Sequence, residues 1–251
     1  MKKYIKKSAL ITAMSLVMMT AQNAQATTYT VDLDGPLGNS GAGYLTDFKS
    51  IYNDASNILT FSSRFTEKDG KLANGFWLVF NGGGSANDAT NPKGHGDELA
   101  ILYGDYTSQN LTAYIYNGQN NASSYSEPNA FIESFTSELL STYTNGAGAN
   151  DGISTFDFTI NLGLINNPAG KPPGWRGIQY AEEVGIWFHP FFADDGAITY
   201  NADGSIENFS TRYTGWFDTN GTPTTVAEPG VMGLMLTGFA GLAFYRRRRR
   251  S

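Results

Sequence analysis

The sequence predicts an all-β fold, an antiparallel β-sandwich of the jelly-roll kind, and three observations support this. Aromatic residues make up 14% of the chain and glycines number 29, which suits strands joined by tight turns. Short apolar or alternating segments recur between turn-rich loops. Clear helical patterning is almost absent between them, and many short strands without intervening helices favour two packed sheets.

Seven segments carry strand patterns. They are the alternating segments 59–65, 111–116 and 155–162, the continuous apolar runs 75–80 and 99–103, and the segments 183–189 and 213–217. The turn-rich loop 104–110 is expected to join its neighbours as a hairpin. In segment 183–189, Val184, Ile186 and Phe188 share one face, and Trp187 and His189 lie on the other.

The stretch 129–143 has two readings that stay open. Phe131, Phe135, Leu139 and Tyr143 are spaced by four, which predicts the apolar stripe of an amphipathic helix. The same stretch is compatible with another strand.

The amino terminus has the layout of a secretory signal peptide. Four lysines precede residue 8, an apolar segment follows over 9–19, and Ala24 and Ala26 provide the small residues of a signal peptidase site. Residues 1–26 are therefore expected to be removed, with the mature chain beginning at Thr27. An uncleaved N-terminal anchor is the alternative.

The carboxyl terminus has three parts in a fixed order. The first part is a short motif of Ala227, Glu228 and Pro229. The second is an uncharged apolar segment over 230–245. The third is a basic cluster of Arg246, Arg247, Arg248, Arg249 and Arg250. Sixteen helical residues span roughly 24 Å, whereas the hydrocarbon core of a bilayer is about 30 Å thick. We therefore expect a short transmembrane helix, with its arginines on the cytoplasmic side.

This tail, residues 226–251, resembles the PEP-CTERM sorting signal of bacterial exported proteins, with Ala227 where the first proline usually stands. The resemblance implies that the chain is a substrate of an exosortase-type sorting enzyme. It also implies an association with exopolysaccharide, because such tails often occur in bacteria that make it. An ordinary C-terminal anchor is the alternative.

The two termini predict the organisation of the chain. An exported domain over 27–218 and a polar linker over 219–225 precede the tail. Signal peptidase and the sorting enzyme are the expected partners. The protein is expected in the inner membrane with its C-terminus in the cytoplasm, at least transiently, and then in the cell envelope or outside the cell.

Charge and cysteine content exclude several classes of function. Residues 27–228 contain eight basic residues and all 23 acidic residues of the chain, which lie between Asp32 and Glu228, so this stretch has a net charge of −15. So acidic a chain argues against nucleic-acid binding, which needs Lys and Arg against phosphates. The chain has no cysteine, which excludes disulfides, thiolate catalysis and zinc–thiolate sites.

No catalytic set is evident, and we expect no enzyme activity. No G-x-S-x-G motif occurs, and the adjacent acidic pairs Glu182–Glu183 and Asp194–Asp195 would point to opposite faces of a strand. A glycoside hydrolase is the least favoured reading. We expect no cofactor; the Asp-Gly turns near residues 32–35, 194–196 and 203–204 offer oxygen ligands for Ca²⁺, but such turns are common without it.

Aromatic side chains are the candidates for ligand binding. Sugar rings stack on tryptophan faces, so Trp77, Trp187 and Trp216 are candidate carbohydrate contacts; burial in the core is the alternative for each. The leading expectation is a structural or adhesive envelope component associated with exopolysaccharide. A carbohydrate-binding module is the alternative.

Overall fold

The computed structural model describes residues 27–34, 39–81, 95–119, 123–136, 138–148, 150–180, 184–215, 217–221 and 224–227. The predicted signal peptide, the tail from Glu228 onward, residues 82–94 and Trp216 are among those that lie outside these ranges. The described residues are 56% strand and 4% helix, mostly in antiparallel sheets, which confirms the predicted all-β class.

Sixteen strands are described. They are β1 (Thr27–Asp34), β2 (Asn39–Ser40), β3 (Gly43–Asn53), β4 (Ile58–Thr66), β5 (Gly75–Asn81), β6 (Ala100–Asp105), β7 (Asn110–Ile115), β8 (Phe131–Thr136), β9 (Leu139–Thr144), β10 (Ile153–Asn161), β11 (Val184–Phe192), β12 (Ile198–Tyr200), β13 (Ile206–Phe209), β14 (Tyr213–Thr214), β15 (Phe217–Gly221) and β16 (Thr224–Ala227). A 3-10 turn (Ser124–Ser126) and one helical turn, α1 (Gly163–Asn166), complete the described elements.

The strands form two large sheets and one hairpin. The first sheet has the order β16-β1-β3-β4-β10-β9, with β2 beside β3. The second sheet has the order β14-β11-β5-β6-β7-β8, with β15 also paired to β11, and β12 pairs with β13 alone. Nearly all described residues belong to one compact unit, Tyr29–Thr225.

Six of the seven segments with strand patterns lie mainly in single strands where they are described. The segment 213–217 is divided: Tyr213–Thr214 forms β14, and β15 begins at Phe217. Leu59, Phe61, Ser63 and Phe65 are all buried, as their alternation predicts. The predicted hairpin is formed by β6 and β7, in which Leu102 pairs with Ala113. In β11, Ile186 and Phe188 join one hydrophobic cluster and Trp187 the other, so the predicted division of faces is confirmed.

The strand alternative is correct for the stretch 129–143, which forms β8 and β9. A spacing of four is also an even number, so the pattern suits one face of a strand as well as of a helix. In the structure a register shift in the β7–β8 pairing separates the first two residues, and Phe131 and Phe135 pack against different hydrophobic clusters. Pairing with β7 on one side and β10 on the other stabilises the extended form. Local periodicity alone could not decide between the two.

Residues 219–225, the predicted polar linker, contain strand structure. Residues 217–221 pair with β11, where Ile186 lies opposite Thr219, and residues 224–227 form β16. Strand structure therefore continues beyond residue 218, and a threonine-rich composition suits strands as well as linkers.

Phenylalanine rings connect the first and second sheets. Phe61 of β4 lies 5.8 Å from Phe76 of β5 and 5.6 Å from Phe188 of β11, measured between ring centroids. Phe158 of β10 stacks on Phe61 at 4.9 Å, and Phe48 of β3 meets Phe188 at 5.8 Å. These rings belong to one buried cluster built from both sheets.

Two glycines make room for aromatic rings in the second sheet. A Cβ atom on Gly104 would lie 2.3 Å from the Phe76 ring, and one on Gly75 would lie 2.3 Å from the Phe191 ring. Each ring covers a glycine on its neighbouring strand. The absent side chains thus allow bulky rings to lie flat on the sheet.

The turn between β6 and β7 reaches the edge strand β9. The side-chain amide of Gln109 donates to the Ser141 carbonyl (3.4 Å) and accepts from the Ser141 N–H (3.0 Å), as a neighbouring strand would. Gln109 adopts a φ of 55° to do so. The edge is therefore paired at this position, which limits pairing with other chains.

Substitution of Phe61 tests the role of the ring cluster. Phe61→Ala should lower the free energy of unfolding by about 3–5 kcal/mol, because it leaves a cavity among four neighbouring rings. Urea unfolding followed by circular dichroism measures this. Leu140→Ala is the matched control: Leu140 also lies in the first sheet but is 69% exposed, so its loss should cost below about 0.5 kcal/mol. Equal losses of unfolding free energy in the two variants would contradict the stabilising role of the ring cluster around Phe61.

Candidate functional site

The second sheet is buried on both faces. All described residues of β5 and β6 are buried. One face contributes Phe76, Leu78 and Phe80 to the cluster shared with the first sheet. The opposite face and its cover form a second cluster, here called the outer cluster: Trp77, Val79, Leu99, Ile101, Tyr103, Tyr114, Tyr116, Ala130, Trp187, Phe191, Ala193 and Ile206.

The structure places two of the three candidate tryptophans together in the outer cluster. Trp77 is 3% exposed and Trp187 is 4% exposed, so neither ring is an exposed sugar platform in this structure. Both residues contact His189, at ring-centroid distances of 4.8 and 4.5 Å. The alternation of residues in the sequence correctly predicts Trp187 on the face opposite Phe188, but it does not predict that this face is covered.

The cover is the hairpin of β12 and β13. The Phe209 ring lies 6.0 Å from Trp77 and 5.6 Å from Tyr103. The Ile206 N–H donates to the Tyr114 hydroxyl. Ile198 and Tyr200 also pack against the cluster, and both are half-buried. The hairpin thus shields the aromatic face from solvent.

The base of the hairpin is fixed by a buried amide. The Asn74 side chain donates to the Ala193 carbonyl at 2.7 Å and accepts from the Ala193 N–H at 2.8 Å. An ion pair joins Arg212 to Asp194 at 2.8 Å, with side chains 60% and 55% exposed. Exposed ion pairs contribute little to stability, so the buried amide is the stronger anchor.

A row of polar side chains crosses the covered face. From β11 to β8, the cross-strand neighbours are His189, Trp77, Tyr103, Thr112 and Ser134. Two polar atoms of this row, Trp77 Nε1 and Ser134 Oγ, are buried and make no hydrogen bond within the described part of the chain. The Tyr103 hydroxyl interacts with Ser124, and the Thr112 hydroxyl interacts with Tyr114. Buried polar groups usually have partners, in protein or ordered water.

Burial changes the proton affinity of this row. The pKa of His189 is lowered to about 4, because desolvation among the two indole rings disfavours the imidazolium, an effect partly offset by the Gly215 backbone. Burial likewise raises the pKa of Tyr103 above its usual value. At neutral pH, His189 is therefore neutral and Tyr103 keeps its hydroxyl proton.

A cavity opens elsewhere on the second sheet, beside the end of β7. Its volume is about 290 Å³, and it is lined by Asp97, Ile115, Asn117, Glu127, Pro128 and Ala130. The polar lining consists of two carboxylates and an amide, and the rest is apolar. Pockets that bind small molecules commonly combine an apolar wall with a few placed polar groups.

The Asn117 amide is held in one orientation. Its Nδ2 donates to Ser123 Oγ at 2.8 Å and to Glu127 Oε1 at 3.3 Å. Its Oδ1 accepts from the Gln119 N–H and from Ser124 Oγ, each at 3.1 Å. The Asn117 amide therefore positions the Glu127 carboxylate. The carboxylate oxygens of Asp97 and Glu127 make the cavity suited to ligands that donate hydrogen bonds.

Sequence reasoning did not identify these cavity residues as a site. The predicted β6–β7 hairpin could have indicated part of the site. Its pairing extends beyond the two strands, because the Tyr116 N–H donates to the Leu99 carbonyl and the Asp97 N–H donates to the Tyr116 carbonyl. Asp97 and Asn117 are then neighbours. Glu127 could not be placed in the same way, because it depends on the path of the loop over 117–130.

The candidate calcium residues have other partners where they are described. Asp32 forms an ion pair with Lys49, and Asp194 pairs with Arg212. Asp203 accepts hydrogen bonds from the Ser205 backbone and hydroxyl, which lower its pKa. Within the described ranges, no three His, Asp or Glu side chains come together as a metal site.

The acidic pair Glu182–Glu183 lies outside the described residues. His95 Nδ1 lies within hydrogen-bonding distance of Glu98 Oε2 (3.2 Å), and Glu98 also pairs with Arg176 at 3.7 Å. His95 and His189 lie in different surroundings, the first beside these charged residues and the second between indoles.

No family model matches the chain, and a search of curated proteins finds no match. In the part of the chain that the structure describes, no helix is both long enough and apolar enough to cross a membrane. The predicted membrane segment 230–245 lies outside that part.

The lowered pKa of His189 predicts a pH-dependent stability. Between pH 6.5 and 4, the unfolded chain binds a proton at His189 that the folded chain does not bind. The free energy of unfolding is therefore unaffected by His189 above pH 6.5, and it decreases as the pH falls from 6.5 towards 4. From pH 7 to 4.5, the protein should lose about 2–3 kcal/mol more than the His189→Phe variant, which keeps a ring but cannot titrate.

Urea unfolding of both proteins at several pH values measures this difference. The carboxylates titrate in both proteins, so their contribution cancels in the comparison. The same loss in both would mean that His189 does not drive the acid sensitivity.

Proposed function

We propose that this protein is an exported bacterial envelope component, a structural or adhesive protein associated with exopolysaccharide. The observation that carries the proposal is the three-part tail: the Ala227–Pro229 motif, the uncharged segment 230–245 and the arginine cluster 246–250. The short apolar segment enters the membrane, and the arginines stop transfer because their charge is costly in the bilayer. An exosortase-type enzyme then processes the tail.

The amino terminus supports the same route. Its lysines stay in the cytoplasm, and signal peptidase cleaves after Ala26. The exported domain lacks cysteine, so its folding does not depend on oxidation. Its excess of acidic residues favours solubility outside the cell.

We further propose that the two large sheets form a sandwich of the jelly-roll kind. Contacts between rings of different sheets, such as Phe61 with Phe76, support this arrangement. So does the alternation of buried and exposed positions in β10 of the first sheet. Such a domain presents loops and sheet faces as binding surfaces.

Carbohydrate binding is the second candidate function, and the cavity at Asp97, Asn117 and Glu127 favours it. Carboxylate oxygens accept hydrogen bonds from sugar hydroxyls, and hydrogen bonds to charged acceptors are the stronger ones. The apolar Ile115, Pro128 and Ala130 would contact the carbon skeleton of the ring. The volume of about 290 Å³ suits one sugar residue rather than a long chain.

Variants of the tail test the sorting proposal. Replacing Glu228 and Pro229 by alanine, or deleting residues 246–250, should leave the unprocessed protein in the membrane fraction, because the recognition motif or the stop signal is lost. Intact-mass measurement and fractionation of cells with and without exosortase follow the outcome. Thr224→Ala, adjacent to the motif but outside it, is the control and should be processed normally.

Normal processing of both tail variants would exclude the sorting proposal. An ordinary membrane anchor predicts a different pattern: the protein would stay at full mass in every strain, with or without the sorting enzyme.

Conservative variants of the cavity test carbohydrate binding. Asp97→Asn combined with Glu127→Gln should weaken binding of neutral oligosaccharides about tenfold, because two charged acceptors become neutral. Asparagine tolerates the positive φ of 64° at Asp97, and glutamine keeps an oxygen for Asn117, so the fold should be retained. Glycan-array binding and titration calorimetry measure the change.

Asp47→Asn is the matched control, because Asp47 is an exposed carboxylate on the first sheet. It should leave binding unchanged. Turnover of an oligosaccharide by the wild-type protein, lost in the cavity variant, would instead indicate a hydrolase. Undiminished binding by the double variant would exclude the cavity as the site.

A further inference from the structure

We propose that the cavity at Asp97 and Glu127 binds an amino sugar whose amine is protonated, as one residue of a cationic polysaccharide. The inference rests on carbohydrate binding at this cavity, the second candidate function, and names the class of sugar that the cavity selects. The polar atoms that the described lining leaves for a ligand are hydrogen-bond acceptors, and they are negatively charged.

The hydrogen-bond donors of the lining are already used within the protein. The backbone N–H groups donate as follows: Asp97 to Tyr116, Ile115 to Ala130, Asn117 and Glu127 to Ser124, and Ala130 to Glu127. Pro128 has no N–H group. The side-chain amide of Asn117 donates to Ser123 and to Glu127. Among its described residues, the lining therefore offers no spare donor to a ligand.

The acceptors of the lining, by contrast, have spare capacity. Glu127 Oε1 accepts one hydrogen bond, from Asn117. The Asp97 carboxylate makes no hydrogen bond or ion pair with the described residues. An ionised carboxylate accepts up to about four hydrogen bonds, so most of this capacity is open to a ligand that donates.

The charge of these two carboxylates is not balanced by the described lining, in which no residue is basic. His95, two residues before Asp97, lies 3.2 Å from Glu98 instead. Arg176 pairs with the same Glu98 carboxylate at 3.7 Å. The stretch 27–228 as a whole has a net charge of −15. The cavity therefore has a negative potential, which attracts a cationic ligand.

A protonated amino sugar matches both the spare acceptors and the charge. Its ammonium group has three N–H donors and no acceptor, and charge-assisted hydrogen bonds to a carboxylate are roughly twice as strong as neutral ones. Its hydroxyl groups donate to the remaining carboxylate oxygens. The carbon skeleton of the sugar ring lies against Ile115, Pro128 and Ala130, the apolar part of the lining.

The size of the cavity favours a sugar over a lysine side chain of another protein, which has the same ammonium group. A lysine side chain is a narrow alkyl chain, and it would leave much of the volume of about 290 Å³ unfilled. A sugar ring fills more of this volume and brings several further donors.

The Glu127 carboxylate is oriented before a ligand binds. The Asn117 amide contacts it and is itself fixed by Ser123 and Ser124. The Ile115 N–H donates to the Ala130 carbonyl at 2.7 Å, which holds the end of the loop against β7. Little further ordering is needed on binding, so less of the interaction energy is lost to it.

Three β-1,4-linked tetrasaccharides test this inference, because they differ only at carbon 2 of each sugar. This carbon bears an ammonium group in the glucosamine tetramer, an N-acetyl group in the N-acetylglucosamine tetramer and a hydroxyl group in the glucose tetramer. The full-length protein is titrated calorimetrically at about pH 6, where such an amine is protonated. The glucosamine tetramer should bind about tenfold more tightly than the glucose tetramer, and the N-acetylated tetramer should show no such gain. Salt at about 0.5 M should reduce this preference, because it screens exposed charges.

Substitution of the two carboxylates locates the preference. In Asp97→Asn combined with Glu127→Gln, the glucosamine and glucose tetramers should bind about equally, because the charged acceptors are neutral. Asp47→Asn combined with Glu207→Gln is the matched control. It removes two negative charges from exposed positions elsewhere and should keep the preference.

The outcomes separate this inference from the proposed carbohydrate binding. Equal binding of the glucosamine and glucose tetramers by the wild type would overturn the inference and leave carbohydrate binding in place. Binding of no tetramer would exclude both. Both comparisons use the wild type alone, so they decide the question even if the cavity variant does not fold.

Two further results would also overturn the inference. A preference for the glucosamine tetramer that persists in the folded cavity variant would place the site elsewhere. Nα-acetyl-lysine amide that binds as tightly as the glucosamine tetramer would assign the cavity to a lysine of a protein partner. Sorting of the tail is tested separately and is unaffected by these results.

Discussion

The packing of phenylalanine rings between the two large sheets is the contact on which the rest of the structure depends. Phe61 touches rings of β5, β10 and β11, so one side chain connects strands that lie far apart in sequence. The chain has no disulfide to hold these strands, and its acidic surface opposes compaction. Burial of aromatic surface must therefore supply the stability, with edge-to-face geometry adding to it.

This packing determines how the second sheet is used. With Phe76 and Phe188 directed into the shared cluster, Trp77, Trp187 and His189 are forced to the opposite face, because successive strand residues alternate. That face is too apolar to remain in water. The β12–β13 hairpin covers it, and the Asn74 amide fixes where the hairpin begins. Trp77 Nε1 and Ser134 Oγ are left without hydrogen-bond partners among the described residues, which is costly unless ordered water lies beside them.

The cavity and the outer cluster differ in their physical basis. The cavity at Asp97 and Glu127 arises where loops meet beyond the ends of β6 and β7, and its carboxylates make it an acceptor-rich pocket. The outer cluster arises from strand register and is buried, so its aromatic rings pack against one another. The cavity, by contrast, leaves a volume of about 290 Å³ beside polar side chains.

Several features were predictable because they depend on neighbours in sequence. The alternation in 59–65 placed Leu59, Phe61 and Phe65 in the core, and the turn at 104–110 identified the β6–β7 hairpin. By contrast, β1 and β3 were not predicted, although Leu45 and Phe48 are buried. A register shift between Leu45 and Asp47 breaks the alternation of β3, so its pattern is hard to recognise.

The sequence by itself determined the class of the fold, the division of β11 into two faces, and the sorting route that we propose, because each depends on local patterns of hydrophobicity and charge. The tertiary structure decided which faces are exposed. Trp77 and Trp187 are residues of the kind that stack on sugars, but both are buried in the outer cluster. Part of the cover over Trp77 is Phe209 of the β12–β13 hairpin, which begins 121 residues after Trp77 in sequence. Likewise, Asp97, Asn117 and Glu127 become one cavity through the pairing of strands. Contacts between distant segments follow from how whole surfaces fit together, and no local pattern records that fit.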